Sequence, residues 1–521
     1  MLFLGFNASA IQTSGFGLDF SVRLTKDLSN YEIAGKRRHD KRITPLVVSP
    51  TIMPPIHQTC KRTQVDKKIQ KERFSMISRN MPGPVIPSIS RFITEFSPVR
   101  LPFDSLKFIT DSATKYGELF AIYFDDQVNY VVCDPQLAHE ILVTRHAEFH
   151  KAPLLRSAIG NLVGNGLLTS EGDFWKKQRK LAQPAFHHHR IASYSKTMVS
   201  YTQRQIADWK TGEIRDIAEE MMALTLAIVN KTLFNMEIGN QAKRIGEALY
   251  VVLEAANDRL NSYYPIWERW FKTRQRREDQ ALALLFEIID DIIATHGEED
   301  TGDLLSMLLS ARDDEGKPMS AKQLRDEVVT LFTAGHETTA NALDWCFYLL
   351  AQNPTAEEKL LAEVDALAGR TPTMADLAEL PYSERVVKEA MRLYPPASGA
   401  TRSPLHDIEL GGYRIPKGSN VAISTYAMHR NPKYFPNPLQ FDPERFSPER
   451  EPTIPKYSYL PFGGGPRICI GNSFAMMEAR LILVTILQNF RLTLLPGQSV
   501  QAEQLFTTRP KGGLKMKILA R

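Results

Sequence analysis

From Pro82 onward apolar residues return mostly at helical spacing, the pattern of one large, mainly helical body. AEEMMALTLAIVNKTLF (218–234) and EDQALALLFEIIDDIIATH (278–296) are clear amphipathic segments. Short runs break the pattern. LFAIYF (119–124) and VNYVVC (128–133), parted by DDQ, are apolar and β-prone and predict a hairpin. DPQLAHEILVT then opens a helix, with Asp134 as its cap and Pro135 at its first position. HDIELGGYRIPKGSNVAISTYAMHR (406–430) returns to strand and turn chemistry. There is no internal repeat.

The first 80 residues read differently. They lack a sustained period and hold the basic clusters GKRRHDKR and DKKIQKER. Their net charge is +8, against −3 for the rest of the 521-residue chain. The expectation is a disordered basic tail over 1–80 and one domain over 81–521. A transit peptide, or a true start at Met76 or Met81, are the alternatives. Because the basic excess belongs to this segment, nucleic-acid binding by the main body has no charge support.

Composition adds exclusions. With 43% apolar and 24% charged residues the chain is of ordinary soluble type. No apolar run approaches the ~20 residues of a spanning helix, so no transmembrane anchor is expected. The four cysteines, Cys60, Cys133, Cys346 and Cys469, are far apart and form no C-x-x-C pair. That argues against a disulfide framework or a structural zinc site and suits a reducing cytoplasm.

Candidate chemistry concentrates in PFGGGPRICIGNSFAMMEAR (461–480). Gly463, Gly464 and Gly465 make the backbone before Cys469 pliable, and an apolar helix is predicted from about Asn472 to Leu487. The helix N-terminus favours a thiolate, and Arg467 adds a cation able to meet an anion. A structural cysteine, a nucleophile and a metal thiolate are the competing readings. The glycines favour the last, as room for a flat, bulky cofactor against the loop.

Phe462, Gly465, Arg467, Cys469 and Gly471 fit F-x-x-G-x-R-x-C-x-G, and here the chain resembles the cytochrome P-450 family of haem-thiolate monooxygenases. The resemblance covers roughly residues 80–521. It implies that Cys469 is the axial ligand of a haem b iron, that Phe462 packs beside it, and that Arg467 meets a haem propionate. Trp175 and Arg179, at i and i+4 in DFWKKQRKLAQPAF, match the W-x-x-x-R element that holds propionates; Arg402 matches a further propionate arginine.

LFTAGHETTANALDW (331–345) is helical in pattern despite Gly335, which costs about 1 kcal/mol relative to alanine. His336 and Glu337 begin an H-E-x-x-H zinc motif that Ala340 breaks. The same segment resembles the family's oxygen-activating helix. That implies Thr338 bonding bound oxygen species, Glu337 aiding proton delivery, and Ala334 and Gly335 leaving room for dioxygen. His336 has no implied chemistry and reads as structural or surface.

Glu389 and Arg392 share a helix face at i and i+3, by themselves an ordinary surface pair. By resemblance they form the E-x-x-R element, completed by Arg445, which supports the fold and cofactor loading. FHHHR (186–190) is a poor metal site, because consecutive residues on a helix point in different directions.

The implied fold is mainly α with a small β-rich region, haem lying between the helix of Thr338 and the loop of Cys469. The implied reaction inserts one atom of dioxygen into a small hydrophobic substrate. Electrons come from a separate ferredoxin or flavodoxin-type donor with its reductase, with Lys176, Lys177 and Lys180 as docking candidates. The substrate pocket falls at Leu168, Ala334, Ala397, Gly399 and Phe506. A peroxygenase or isomerase, and a haem carrier or sensor, are the rival readings; the intact Glu337–Thr338 pair argues against the first.

Overall fold

The computed structural model describes residues 18–24, 31–37, 81–86, 104–124, 127–235, 241–261, 272–296 and 301–521. The chain divides into two units, Met1–Arg73 and Phe74–Arg521. In the first, strands Leu18–Leu24 and Tyr31–Arg37 pair antiparallel, Leu18 opposite Arg37 and Leu24 opposite Tyr31. An aperiodic tail did not foresee this pairing. The remainder of the expected tail before Met81 lies outside the described residues, as does Cys60.

The second unit is mainly helical, with small sheets. The predicted hairpin is present: Leu119–Phe124 pairs antiparallel with Gln127–Val132. It sits inside a mixed six-stranded sheet ordered 85–86, 119–124, 127–132, 420–424, 399–404, 149–151. Asp134 caps the following helix, accepting from the N–H groups of Gln136 and Leu137, both at 2.8 Å. That helix, Pro135–His139, widens at once into a π turn over Glu140–Thr144. Nothing in the sequence pattern announces the turn, yet its backbone abuts the cysteine loop.

The central helix is Ala321–Gln352, with Ser320 as its N-cap. At about 1.5 Å per residue it is long enough to cross a whole domain. It packs against Ile217–Phe234, Pro381–Leu393, Asn472–Leu487 and the strand Thr508–Pro510. Contact on so many sides explains why its apolar residues are not confined to one stripe. The helix predicted after Cys469 spans Asn472–Leu487 as expected, and it too is buried along most of its length. Among the described residues no helix is long and apolar enough to cross a membrane.

Candidate active site

The cysteine loop is held by its own backbone. Gly465–Arg467 makes a single 3-10 turn, and Cys469 N–H donates to Phe462 O at 3.0 Å. Gly463 and Gly465 have φ of +71° and +69°, which side chains rarely adopt. A Cβ on Gly465 would also overlap the carbonyl of Leu142 in the π turn. The expectation that a cofactor demands these glycines is therefore corrected: chain conformation and the π turn already require the two with positive φ.

Cys469 is exposed, whereas Cys133 and Cys346 are buried. Even so, desolvation by the surrounding chain pushes its thiol above the ordinary value. A hydrogen bond from the Gly471 N–H and the nearby Arg179 guanidinium pull the other way. The cation acting on the thiol is Arg179.

Trp175 and Arg179 lie on the helix Gly172–Ala182. Arg179 Nη1 donates to Ile468 O at 2.7 Å, next to the cysteine. Arg467 lies over the Trp175 ring, 5.2 Å from its centroid, and its Nη1 donates to Glu171 Oε1 at 3.1 Å. Its Nε is buried and has no hydrogen-bond partner among the described residues. Glu171, which the sequence reading missed, also accepts from the Lys151 N–H at 2.5 Å. Arg402 donates to its own neighbour's carbonyl, Thr401 O, at 2.9 Å. Burial, with Arg467 adding repulsion, pushes Arg402 down to about 10. Among the described residues no carboxylate pairs with it. Arg402, with no carboxylate partner among the described residues, and the buried Arg467, ion-paired with Glu171 but with its Nε unused, fit an anionic, thiolate-bound group such as haem.

The central helix opens at one place. Ala334 is exposed and Gly335 and Thr338 are partly so, while Thr339 to Phe347 are buried. Thr338 Oγ1 donates back to Ala334 O at 2.9 Å. A Cβ on Gly335 would come within 3.2 Å of Val229 Cγ2, so this glycine also serves close packing of the helix Ile217–Phe234. His336 is buried, with Nδ1 at 3.1 Å from Phe332 O, which makes it structural. Glu337 is buried and accepts from Thr507 Oγ1 at 2.5 Å.

The model of the family described as cytochrome P450 matches residues 101–517. The chain belongs to the cytochrome P450 family. It is 40% identical to cyclooctatin synthase of Streptomyces melanosporofaciens, over 75% of this chain and 86% of that protein. It is 32% identical to pentalenene oxygenase of Streptomyces avermitilis, over 79% of this chain and 92% of that protein. The crystal structure of the cytochrome P450DA haem domain superposes with a TM-score of 0.75 at 28% identity, covering 85% of this chain and 99% of that one. This chain is accordingly a cytochrome P450 monooxygenase that binds a haem iron.

In this P450 the expected pocket residues sit on segments tied to the central helix. Leu168 follows Leu167, whose N–H donates to Glu327 Oε2 at 3.0 Å. Burial lifts that carboxyl to about 7. Phe506 precedes Thr507, which bonds Glu337 and Asn341. Strands Ala502–Gln504 and Thr508–Pro510 pair as the C-terminal hairpin, and Thr508 N–H donates to Pro396 O at 2.9 Å, joining it to the segment of Ala397 and Gly399. Ala397 and Gly399 are exposed, Leu168 and Phe506 partly buried.

The three-residue charge cluster is deep in the P450, the placement the E-x-x-R resemblance implies. Arg392 Nε donates to Glu389 Oε2 at 2.7 Å and Nη2 to Oε1 at 2.8 Å. Arg445 Nε reaches Oε1 at 3.3 Å. His429 links this cluster to the cysteine loop. Its Nε2 accepts from Leu460 N–H at 2.9 Å, so the other nitrogen is the donor to Arg392 O at 3.2 Å. Burial, then Arg392, hold this imidazole neutral, its pKa down to about 3. His429 carried no signal at sequence level beyond its place in a strand-and-turn segment.

The docking lysines are not free cations. Lys176, Lys177 and Lys180 pair with Asp173, Asp313 and Asp314 at 2.9, 2.5 and 2.6 Å. FHHHR opens the helix His188–Ile206; the side chains of His188 and His189 are outside the described residues.

Proposed function

We propose that this P450 inserts one oxygen atom of dioxygen into a cyclic, apolar terpenoid, with electrons from a separate ferredoxin or flavodoxin-type donor and its reductase. One arrangement carries the reading: an accessible thiol just before one core helix, and an opened face with Thr338 on a second helix packed against it. Bound haem b would supply dioxygen activation at a thiolate-held iron. Cys469 would be its ligand, with Phe462 beside it, and Trp175, Arg179, Arg402 and Arg467 would hold its propionates. Arg402 supports this through its desolvation and Arg467 through its unused Nε. Thr338 holds a proton at its hydroxyl for the distal side, and Glu337 moves protons to it. The catalytic part is 81–521 and works in the cytoplasm.

The substrate class rests on the pocket and on relatives. Leu168, Ala334, Ala397, Gly399 and Phe506 offer small or apolar contacts. A relative 36% identical to this chain is named cyclooctat-9-en-7-ol 5-monooxygenase, and another pentalenene oxygenase.

Cys469→Ser should abolish the red-shifted carbon-monoxide band, while serine at Cys60, Cys133 or Cys346 leaves it intact. The parent should also give a substrate-binding spectral shift and an oxygenated product with pentalenene or cyclooctat-9-en-7-ol. A normal band from Cys469→Ser sinks the ligand assignment; absence of any shift with both compounds sinks the substrate class.

A further inference from the structure

Glu337 does not stand alone in the central helix. Its carboxylate accepts from Thr507 Oγ1 at 2.5 Å, and the same hydroxyl oxygen accepts from Asn341 Nδ2 at 2.9 Å. One turn further on, Trp345 Nε1 donates to Thr508 O at 3.1 Å. Glu337, Asn341 and Trp345 are spaced i, i+4 and i+8, so a single stripe of the helix is fastened to consecutive residues of the C-terminal hairpin. All five residues are buried.

The donor order fixes a direction. An amide N–H can only donate, so Asn341 occupies a lone pair of the Thr507 hydroxyl and leaves its proton for Glu337. A glutamate side chain has several rotatable bonds, and a proton relay works only with its acid at hydrogen-bonding reach of the next group. A bond to a buried, already oriented hydroxyl removes that freedom.

We infer that Thr507 is the positioning residue for Glu337, tying this acid to the hairpin that carries the pocket residue Phe506. The inference rests on Glu337 acting in proton delivery. Its consequence is that whatever presses on Phe506 acts on the partner of the acid, one residue away.

The test uses the full haem-loaded chain and three variants. Glu337→Gln identifies the Glu337 carboxyl band in the infrared difference spectrum. Thr507→Val, nearly isosteric but without the hydroxyl, should shift that band, and Thr507→Ser should restore it. With pentalenene as probe and a ferredoxin–reductase pair, Thr507→Val should slow reductant use about fivefold to tenfold, the scale of one hydrogen bond. Thr507→Ser should recover the parent rate, with haem content and the carbon-monoxide band unchanged throughout. If valine prevents haem loading, Thr507→Ala supplies the same comparison. An unshifted band in Thr507→Val overturns the inference. A slow Glu337→Gln beside a Thr507→Val of parental rate also overturns it, yet leaves the role of Glu337 standing. Parental rates in both remove that role and the inference with it.

Discussion

Glu389 and Asp344 are both carboxylates with no exposed surface, on helices that pack together, and the protein treats them in opposite ways. Glu389 is surrounded by donors: Arg392 twice, Arg445, and the Asp442 N–H at 2.9 Å. Burial lifts its pKa, but Arg392 opposes the lift and holds the charge. Among the described residues Asp344 has no hydrogen-bond partner at either oxygen. Burial, and the charge of Asp216, raise its pKa well above the ordinary value. The difference teaches that burial alone does not set the state of an acid. Donors do: with them it remains a charged tie between segments, and without them it keeps its proton.

The comparison breaks most visibly at Glu389. Glu389→Ala strands Arg392 and Arg445 in the core, a loss of about 3–5 kcal/mol for a broken buried pair. The damage should spread, because Arg392 also donates to the carbonyls of His429 and Pro438, both at 2.8 Å. His429 in turn holds Leu460, two residues before Phe462. The expected result is little soluble, haem-loaded protein, measured by absorbance after purification. Parental yield and melting temperature would show that the cluster is not a structural tie.

Asp344→Asn should act in the opposite direction. The folded state keeps the proton on Asp344 where the unfolded chain, with its ordinary value of 3.8, has already lost it. A raised acid pKa therefore lowers stability as pH climbs above that value, until the folded group itself ionises. Asparagine removes this loss. At neutral pH the variant should melt higher, by about 2–4 °C, and the gain should shrink toward pH 4. A lower melting temperature at neutral pH would mean that Asp344 has a partner which asparagine cannot replace.

These two acids also measure what the sequence makes legible. Glu389 and Arg392 are three residues apart, and their element was readable; its depth followed from the family resemblance and not from the spacing. The cysteine loop, the helix after it and the 119–132 hairpin were readable for the same reason: local spacing and turn chemistry determine them. Contacts distant in sequence were not. Thr507 meets Glu337 across 170 residues, and Glu171 meets Arg467 across 296. Neither partner carries a pattern that selects the other. Gly465 was readable as pliable, but its reason, the Leu142 carbonyl, belongs to a π turn without a periodic signature.

Glu478 sharpens the comparison, since it lies between the two extremes. It sits on the helix after Cys469, wholly buried, and among the described residues neither of its oxygens has a hydrogen-bond partner. The Thr339 hydroxyl is close enough to pull its pKa back, but its bond runs to Gly335 O at 3.3 Å. Burial still wins and raises the carboxyl to about 8. The sign matches Asp344: parent stability should fall from the ordinary value of 4.5 up to about pH 8, then level off. Glu478→Gln keeps the shape and cannot ionise, so it should gain over the parent through that window and match it at pH 4. The expected gain, about 1–2 °C at pH 8, is the smaller of the two because this acid titrates within the accessible range. Thermal melts of both proteins from pH 4 to 9 read it directly. A difference that stays constant with pH would mean that Glu478 is ionised when folded, through a partner such as a rotated Thr339, and would move it to the side of Glu389.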